Sequence, residues 1–316
     1  MRVSSSQYHI TVNASLQKSN SQLEKLMSQM ASGNRLLRPS DDPISHVRIA
    51  RLDREEANIA QYLSNIGALS SRMSQSEMVM TSMNSDLLSA RDLLVWALDG
   101  TNTSEDLSAM ATSLEALRDG LMASSLTKDQ EGNYVFSGTA TKTATVGVAQ
   151  QVDVNNLPLV DDAGKPVLVY TAQGNNKQQT VVVGNGLTQP ANVSIGTETA
   201  AVLNALSEAI VAIRKPGVTA NDADTRAKLT AALNGVDGTM DQLSTKVSQL
   251  GGAQNIIATL ETNARNLSTA NQTSVLEYAQ LDYASAATQL NSLMAAVQAT
   301  QSAYGKVSQL SLFNAL

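Results

Sequence analysis

The sequence predicts a mainly α-helical protein: an elongated helical bundle or coiled coil built from both termini, with a small β-rich inserted domain. Three observations carry this. Apolar residues recur at every seventh position near both ends, only 3% of the 316 residues are aromatic, and a stretch rich in Gly, Asn, Thr, Gln and Val interrupts the helical pattern from Thr139 to Gly196. Seven-residue spacing keeps one stripe of a helix facing a partner. Few aromatics make a thick globular core hard to fill, whereas narrow seams of Leu, Met, Ala and Val need none.

The first helix is expected from about residue 13 to 37, on the repeat Leu16, Leu23, Met30 and Leu37. Its end has a local cause. Pro39 pushes Arg38 out of helical backbone, and Asp41 and Asp42 offer capping side chains before Pro43, a residue suited to the first helical position. Asp41, Asp42 and Pro43 are therefore read as a helix-capping motif. The longest pattern follows: Leu52, Ile59, Ile66, Met73, Met80, Leu87 and Leu94 step by seven. A helix over 44–98 would be about 80 Å long. Met73, Met80 and Met83 fall on its seam and are read as core, not as an adaptable binding face.

Asp99-Gly100-Thr101 breaks that rod, and Ser104 is the expected cap of a further helix with Glu105 and Asp106 in its first turn. Its stripe is Leu107, Met110, Leu114, Leu117 and Leu121. Within the insert, 167–170 and 180–183 read as strands, and Asn185-Gly186 as a hairpin turn. Helical spacing resumes with Val202, Leu206, Ile210 and Ile213, pauses at Pro216-Gly217, and continues after Thr225 as Leu229, Leu233, Val236, Met240, Leu243, Val247 and Leu250. The final stripe is Leu276, Tyr283, Leu290, Val297 and Tyr304, with Leu293 and Val307 among the residues three places on.

Three domains follow from this reading: residues 1–38 with 276–316 as a terminal coiled-coil assembly domain, 39–140 with 197–275 as a helical rod, and 141–196 as a β-rich outer insert. The residues flanking the terminal stripes are mostly Ser, Thr, Gln, Asn and Ala. Low charge there favours close lateral packing with further helices. Leu16, Leu23, Met30, Leu37, Leu276, Tyr283, Leu290, Leu293, Val297, Tyr304 and Val307 are accordingly the expected assembly surface, open to other subunits or to a chaperone. A closed coiled coil within one chain is the plainer alternative.

The chemistry-bearing residues are sparse. A net charge of −6 and a pI near 5.0 disfavour nucleic-acid binding, and Arg48, Arg51 and Arg54 are interleaved with Asp53, Glu55 and Glu56. There is no cysteine, and the two histidines, His9 and His46, lie in no metal motif. Asp161-Asp162 precedes Ala163-Gly164-Lys165 and reads as a turn; Gly184-Asn185-Gly186 reads as a hairpin, not a phosphate loop. No catalytic, cofactor-binding or metal-binding residue is expected. The N-terminus shows no apolar signal region, and no apolar run is long enough to span a membrane.

Ser32-Gly33-Asn34-Arg35-Leu36 followed by Pro39-Ser40-Asp41-Asp42-Pro43 resembles the N-terminal signature of the flagellin superfamily. The Met1-Arg2-Val3-Ser4 start, Gln61-Tyr62 near Asn65-Ile66, Asn133-Tyr134-Val135-Phe136-Ser137-Gly138 and the ending Ser311-Leu312-Phe313-Asn314-Ala315-Leu316 are more similar to its hook–filament junction members than to filament flagellins. The likeness covers 1 to about 140 and about 225 to 316. It implies an extracellular structural subunit of the bacterial flagellum that self-associates into a ring. Hook-associated protein 1 and flagellin would be its neighbours, and a cytoplasmic export chaperone would bind the C-terminal helix, 276–307. It also implies export through the flagellar type III apparatus. A filament flagellin, or a cytoplasmic coiled-coil scaffold or signalling protein, are the rival readings. Two further expectations follow: excising 141–195 should leave the helices folded, and both termini should order only against neighbouring subunits.

Overall fold

In a computed structural model of the chain, residues 2–154 and 156–313 are described, with side chains over 7–154 and 156–306. The apolar repeats become helices α1 (Arg2–Ser32), α2 (Pro43–Ala97), α3 (Ser104–Ser125), α4 (Gly196–Ile213), α5 (Ala223–Ala279) and α6 (Tyr283–Phe313). Between α3 and α4 lie strands β1 (Val146–Gln150), β2 (Leu168–Ala172), β3 (Thr180–Gly184) and β4 (Leu187–Pro190). Two compact units result, residues 1–60 with 265–316 and residues 61–264. Helices α2 and α5 contribute to both. None of the helices is long and apolar enough to cross a membrane among the described residues.

In the unit over 61–264 the seven-residue stripe of α2 is buried at Ile66, Met73, Met80, Leu87 and Leu94, with Met83 beside it. Met78 lies off this stripe and is exposed. Leu107, Leu114 and Leu121 of α3, Leu203 and Leu206 of α4, and Val236 and Leu243 of α5 complete one continuous apolar core. A seam of this kind is favourable because apolar side chains from several helices leave water together.

The insert packs on that core through its own residues. Strands β1 and β2 pair antiparallel, Val148 opposite Tyr170, and Val146 and Tyr170 are both buried. Strands β3 and β4 form a hairpin closed by Asn185-Gly186, where Gly186 adopts φ +70°. That is the backbone glycine tolerates best. The spacing singled out β2 and β3 but neither β1 nor β4, which carry fewer β-branched and aromatic residues. The edge of β2 is covered by a side chain: Asn204 of α4 accepts from the Tyr170 N–H at 2.8 Å and donates to its carbonyl at 2.8 Å. An amide thereby replaces the missing strand neighbour.

One local expectation is corrected and another is extended. The cap of α3 is Thr103, not Ser104: Thr103 Oγ1 accepts from the Asp106 N–H at 3.2 Å, and Asp106 Oδ2 accepts from the Thr103 N–H at 3.0 Å. This reciprocal pair satisfies two orphan donors, which Ser104 one place later does not. Asp161-Asp162 does form a turn, with Asp161 Oδ1 accepting from the N–H groups of Ala163 and Lys165, but Asp161 Oδ2 also meets Arg214 at 3.3 Å.

Arg214 in turn sits 2.5 Å from Glu115, which also holds Lys165 at 2.5 Å. Burial pushes the Glu115 carboxyl up, yet hydrogen bonds from Arg214 and Lys165 outweigh it and hold it at about 2. One acid therefore ties α3 to the insert and to the end of α4. Before β1, Phe136 is fully buried and the chain turns at Gly138 with φ +70°. A Cβ there would lie 1.9 Å from the Asn175 carbonyl oxygen.

Candidate assembly site

The unit formed by 1–60 and 265–316 has little core of its own. Helices α1 and α6 pair through Leu26 and Ala286, joined by Leu281 of the connection before α6, with Met30, Leu290 and Leu293 packed at the edge. Leu16, Leu23 and Val297 are half-buried, and Tyr304 is half-buried with its ring edge-on to His9 at 5.3 Å. Leu26 was not among the expected seam residues. Its signal was present, because it stands three places after Leu23 as a coiled-coil d residue should.

The continuous C-terminal helix expected over 276–307 is not present. Helix α5 ends at Ala279 and α6 starts at Tyr283, so Leu276 and Tyr283 lie on different helices. They are 58% and 51% exposed. The break is made by residues far away in sequence: the Arg35 N–H donates to the Ala279 carbonyl at 2.7 Å, and the Leu281 N–H to the Gly33 carbonyl at 2.9 Å. Asp282 then restarts the helix, accepting from the N–H groups of Ala284 and Ser285 at 3.0 and 3.3 Å and from the Ser285 hydroxyl at 2.6 Å. The Ser285 hydroxyl, followed by those N–H groups, holds the Asp282 carboxyl below its ordinary range. The interruption turns Leu281 and Ala286 inwards in place of Leu276 and Tyr283. Only the Tyr283 hydroxyl reaches back, donating to the Met30 carbonyl at 3.0 Å. The Val307 side chain lies outside the described residues.

The N-terminal signature is the other half of that break. Helix α1 stops at Gly33, whose φ of +73° and N–H bond to the Gln29 carbonyl make a left-handed helix end. Pro39 lies further on, so the expected stop was placed late and Leu37 falls in the connection instead of on the helix. Leu37 and Arg38 donate backbone N–H groups to Asp41 Oδ2, each at 3.1 Å, while Lys25 meets Asp41 Oδ1 at 2.6 Å. Asp42 stands at the start of α2. Its Oδ1 accepts from the Ser45 N–H at 3.1 Å and its Oδ2 from the Ser45 hydroxyl at 2.7 Å. Pro43 follows as the first helical residue, where its missing N–H costs nothing. Both carboxyls are held below their ordinary range, Asp41 chiefly by Lys25 and Asp42 chiefly by the Ser45 hydroxyl.

This arrangement is built to hold polypeptide. Among the described residues there is no group of three or more His, Cys, Asp or Glu that could hold a metal ion.

Residues 3–141 match the family model described as the bacterial flagellin N-terminal helical region. Over its length the chain is similar to flagellar hook-associated protein 3 of Escherichia coli, at 25% identity over 93% of each protein, and to that of Salmonella typhimurium, at 23% identity over 99% of each. The likeness is to the flagellin superfamily, in its N-terminal helical region by the family model and end to end by these two relatives. Among solved structures the chain is similar to a protein described as a flagellar hook-associated protein from Vibrio parahaemolyticus, with 28% identity and a TM-score of 0.65 over 76% of this chain and 100% of that one. The fold is also that of hook-associated protein 3 from Legionella pneumophila, with a TM-score of 0.60 over 72% of this chain and 99% of that one at 14% identity. The chain shares its helical character with these relatives, which are proteins of the bacterial flagellum, an extracellular appendage.

Proposed function

We propose that this chain is a subunit of the junction between the flagellar hook and the filament, assembled into a ring through its terminal helices. Hook-associated protein 1 is its neighbour on the hook side and flagellin on the filament side. The supporting observation is the full-length likeness to hook-associated protein 3 relatives, 93% and 99% of whose length is matched. A filament flagellin would share the N-terminal helical region without that end-to-end likeness.

The terminal helices carry the assembly role in this reading. One partner helix half-covers Leu16, Leu23, Leu290, Leu293, Val297 and Tyr304, and Leu276 and Tyr283 remain exposed, so apolar surface is left for neighbouring subunits. Before assembly, the same surface on α6 is available to a cytoplasmic export chaperone, and export proceeds through the flagellar type III apparatus. Immunogold labelling of isolated flagella is expected to mark a single band between hook and filament. Label along the whole filament, or confined to the cell interior, would overturn the reading.

A further inference from the structure

Two grooves flank the pairing of α2 with α5 within the unit over 1–60 and 265–316. One, of about 290 Å³, is lined by Val47, Arg48, Arg51, Leu52, Ser274 and Tyr278. The other, of about 300 Å³, is lined by Leu52, Asp53, Glu56, Asn271, Val275 and Leu276 among others. Leu52 is the shared ridge. Arg51 and Asp53 stand two residues apart, about 200° around a helix, and so point to opposite flanks. The first groove is basic and the second acidic.

Each groove is also unfinished within one chain. Arg51 and Asp53 are exposed, and no ion pair engages either among the described residues. In the acidic groove Glu56 Oε1 accepts from Ser268 and Gln272 at 2.5 and 3.1 Å, but buried Glu56 Oε2 accepts nothing. Asn271, 7% exposed, has its Nδ2 likewise without a partner. Buried polar atoms are seldom left so. Each groove has an apolar lip, Val47 at 67% exposure on the basic side and Leu276 on the acidic side.

Resting on the junction reading above, we propose that copies of this chain associate head to tail, the basic groove around Arg51 of one copy seated against the acidic groove around Asp53 and Glu56 of the next. The occupant of each groove is a second copy. Because the grooves open on opposite flanks, a two-fold contact through either one would set Arg51 against Arg51 or Asp53 against Asp53, which like charges oppose. A heterologous contact instead repeats in one direction and closes into a ring or climbs as a helix.

The test uses full-length variants expressed in cells whose own copy has been deleted, with filament-bearing flagella counted. Arg51→Asp leaves two acidic grooves and Asp53→Arg two basic ones. Each alone is expected to lower the count at least tenfold, with circular dichroism of the purified variants unchanged. Co-expression of the two single variants is expected to restore it, because alternating copies then present opposite charges at every contact. Single variants that assemble as well as the unmodified chain, or a co-expressed pair that stays defective, would overturn the proposal. An unmodified chain that restores no filaments would instead sink the junction reading itself. The chain has no cysteine, so Val47→Cys/Leu276→Cys offers a second readout. Oxidised flagella carrying the double variant should show a ladder of cross-linked chains, absent from either single variant; no ladder from the double variant counts against the contact.

Discussion

Gly138 leaves no room for a side chain. With φ +70° and the Asn175 carbonyl oxygen 1.9 Å from any added Cβ, Gly138→Ala must move two backbone segments. It is expected to cost about 2–3 kcal/mol, read from urea unfolding; a loss below about 0.5 kcal/mol would mean that the turn yields freely. Glu115 is the second decisive residue. Its carboxyl is held at about 2 against an ordinary 4.5, so its contribution is fully present above pH 4.5 and is lost as pH falls through 2. Allowing for solvent screening, that contribution is on the order of 1–2 kcal/mol. Glu115→Gln should therefore lower stability at neutral pH and flatten the stability profile between pH 4.5 and 2. A variant whose acid profile overlays the parent would remove Glu115 from this role.

At the scale of elements, the start of α2 depends on a single carboxylate. Asp42→Ala is expected to speed amide exchange over 44–49, where Asp42 binds the Ser45 N–H and hydroxyl; unchanged protection there would refute the cap. The pairing of α1 with α6 is thin: its buried apolar cluster among the described residues consists of Leu26, Leu281 and Ala286. Ordering a residue costs about 1–2 kcal/mol, and an isolated helix returns little of it. In the free subunit, residues to about 37 and from about 276 are thus expected to exchange fast and to slow in assembled flagella. Leu290→Asp should abolish assembly while sparing unfolding of the unit over 61–264. Strong protection at both ends of a verified monomer would restore the closed coiled coil.

For the whole molecule, the structure changes what excision of the insert should do. Val146, Tyr170, Val183 and Ile195 belong to the same core as the helices, and Lys165 and Asp161 bind Glu115 and Arg214. Removing 141–195 uncovers α4 and leaves Glu115 and Arg214 with each other but without Lys165 and Asp161. The expected result is loss of cooperative thermal unfolding, not the intact bundle that the helical seams alone suggest. A deletion that melts as sharply as the parent would show the insert to be dispensable.

The helices were legible because their cause is local. Seven-residue spacing, Pro43 after Asp42, and Asn185-Gly186 each act within a few residues, and α2, α4 and the β3–β4 turn lie where those signals put them. The apolar stripes of the terminal helices were legible for the same reason, though not their register. Long-range contacts decided the rest. The break between α5 and α6 is held by hydrogen bonds with the Gly33 carbonyl and the Arg35 N–H, hundreds of residues earlier, and the nearby cap at Asp282 marks only where the helix restarts. Strand β1 exists because β2 pairs with it, and Asn204 reads as an ordinary helix residue until the Tyr170 backbone lies beside it. Periodicity states which face of a helix seeks cover; only the folded chain decides what covers it, because that choice depends on groups that the sequence keeps far apart.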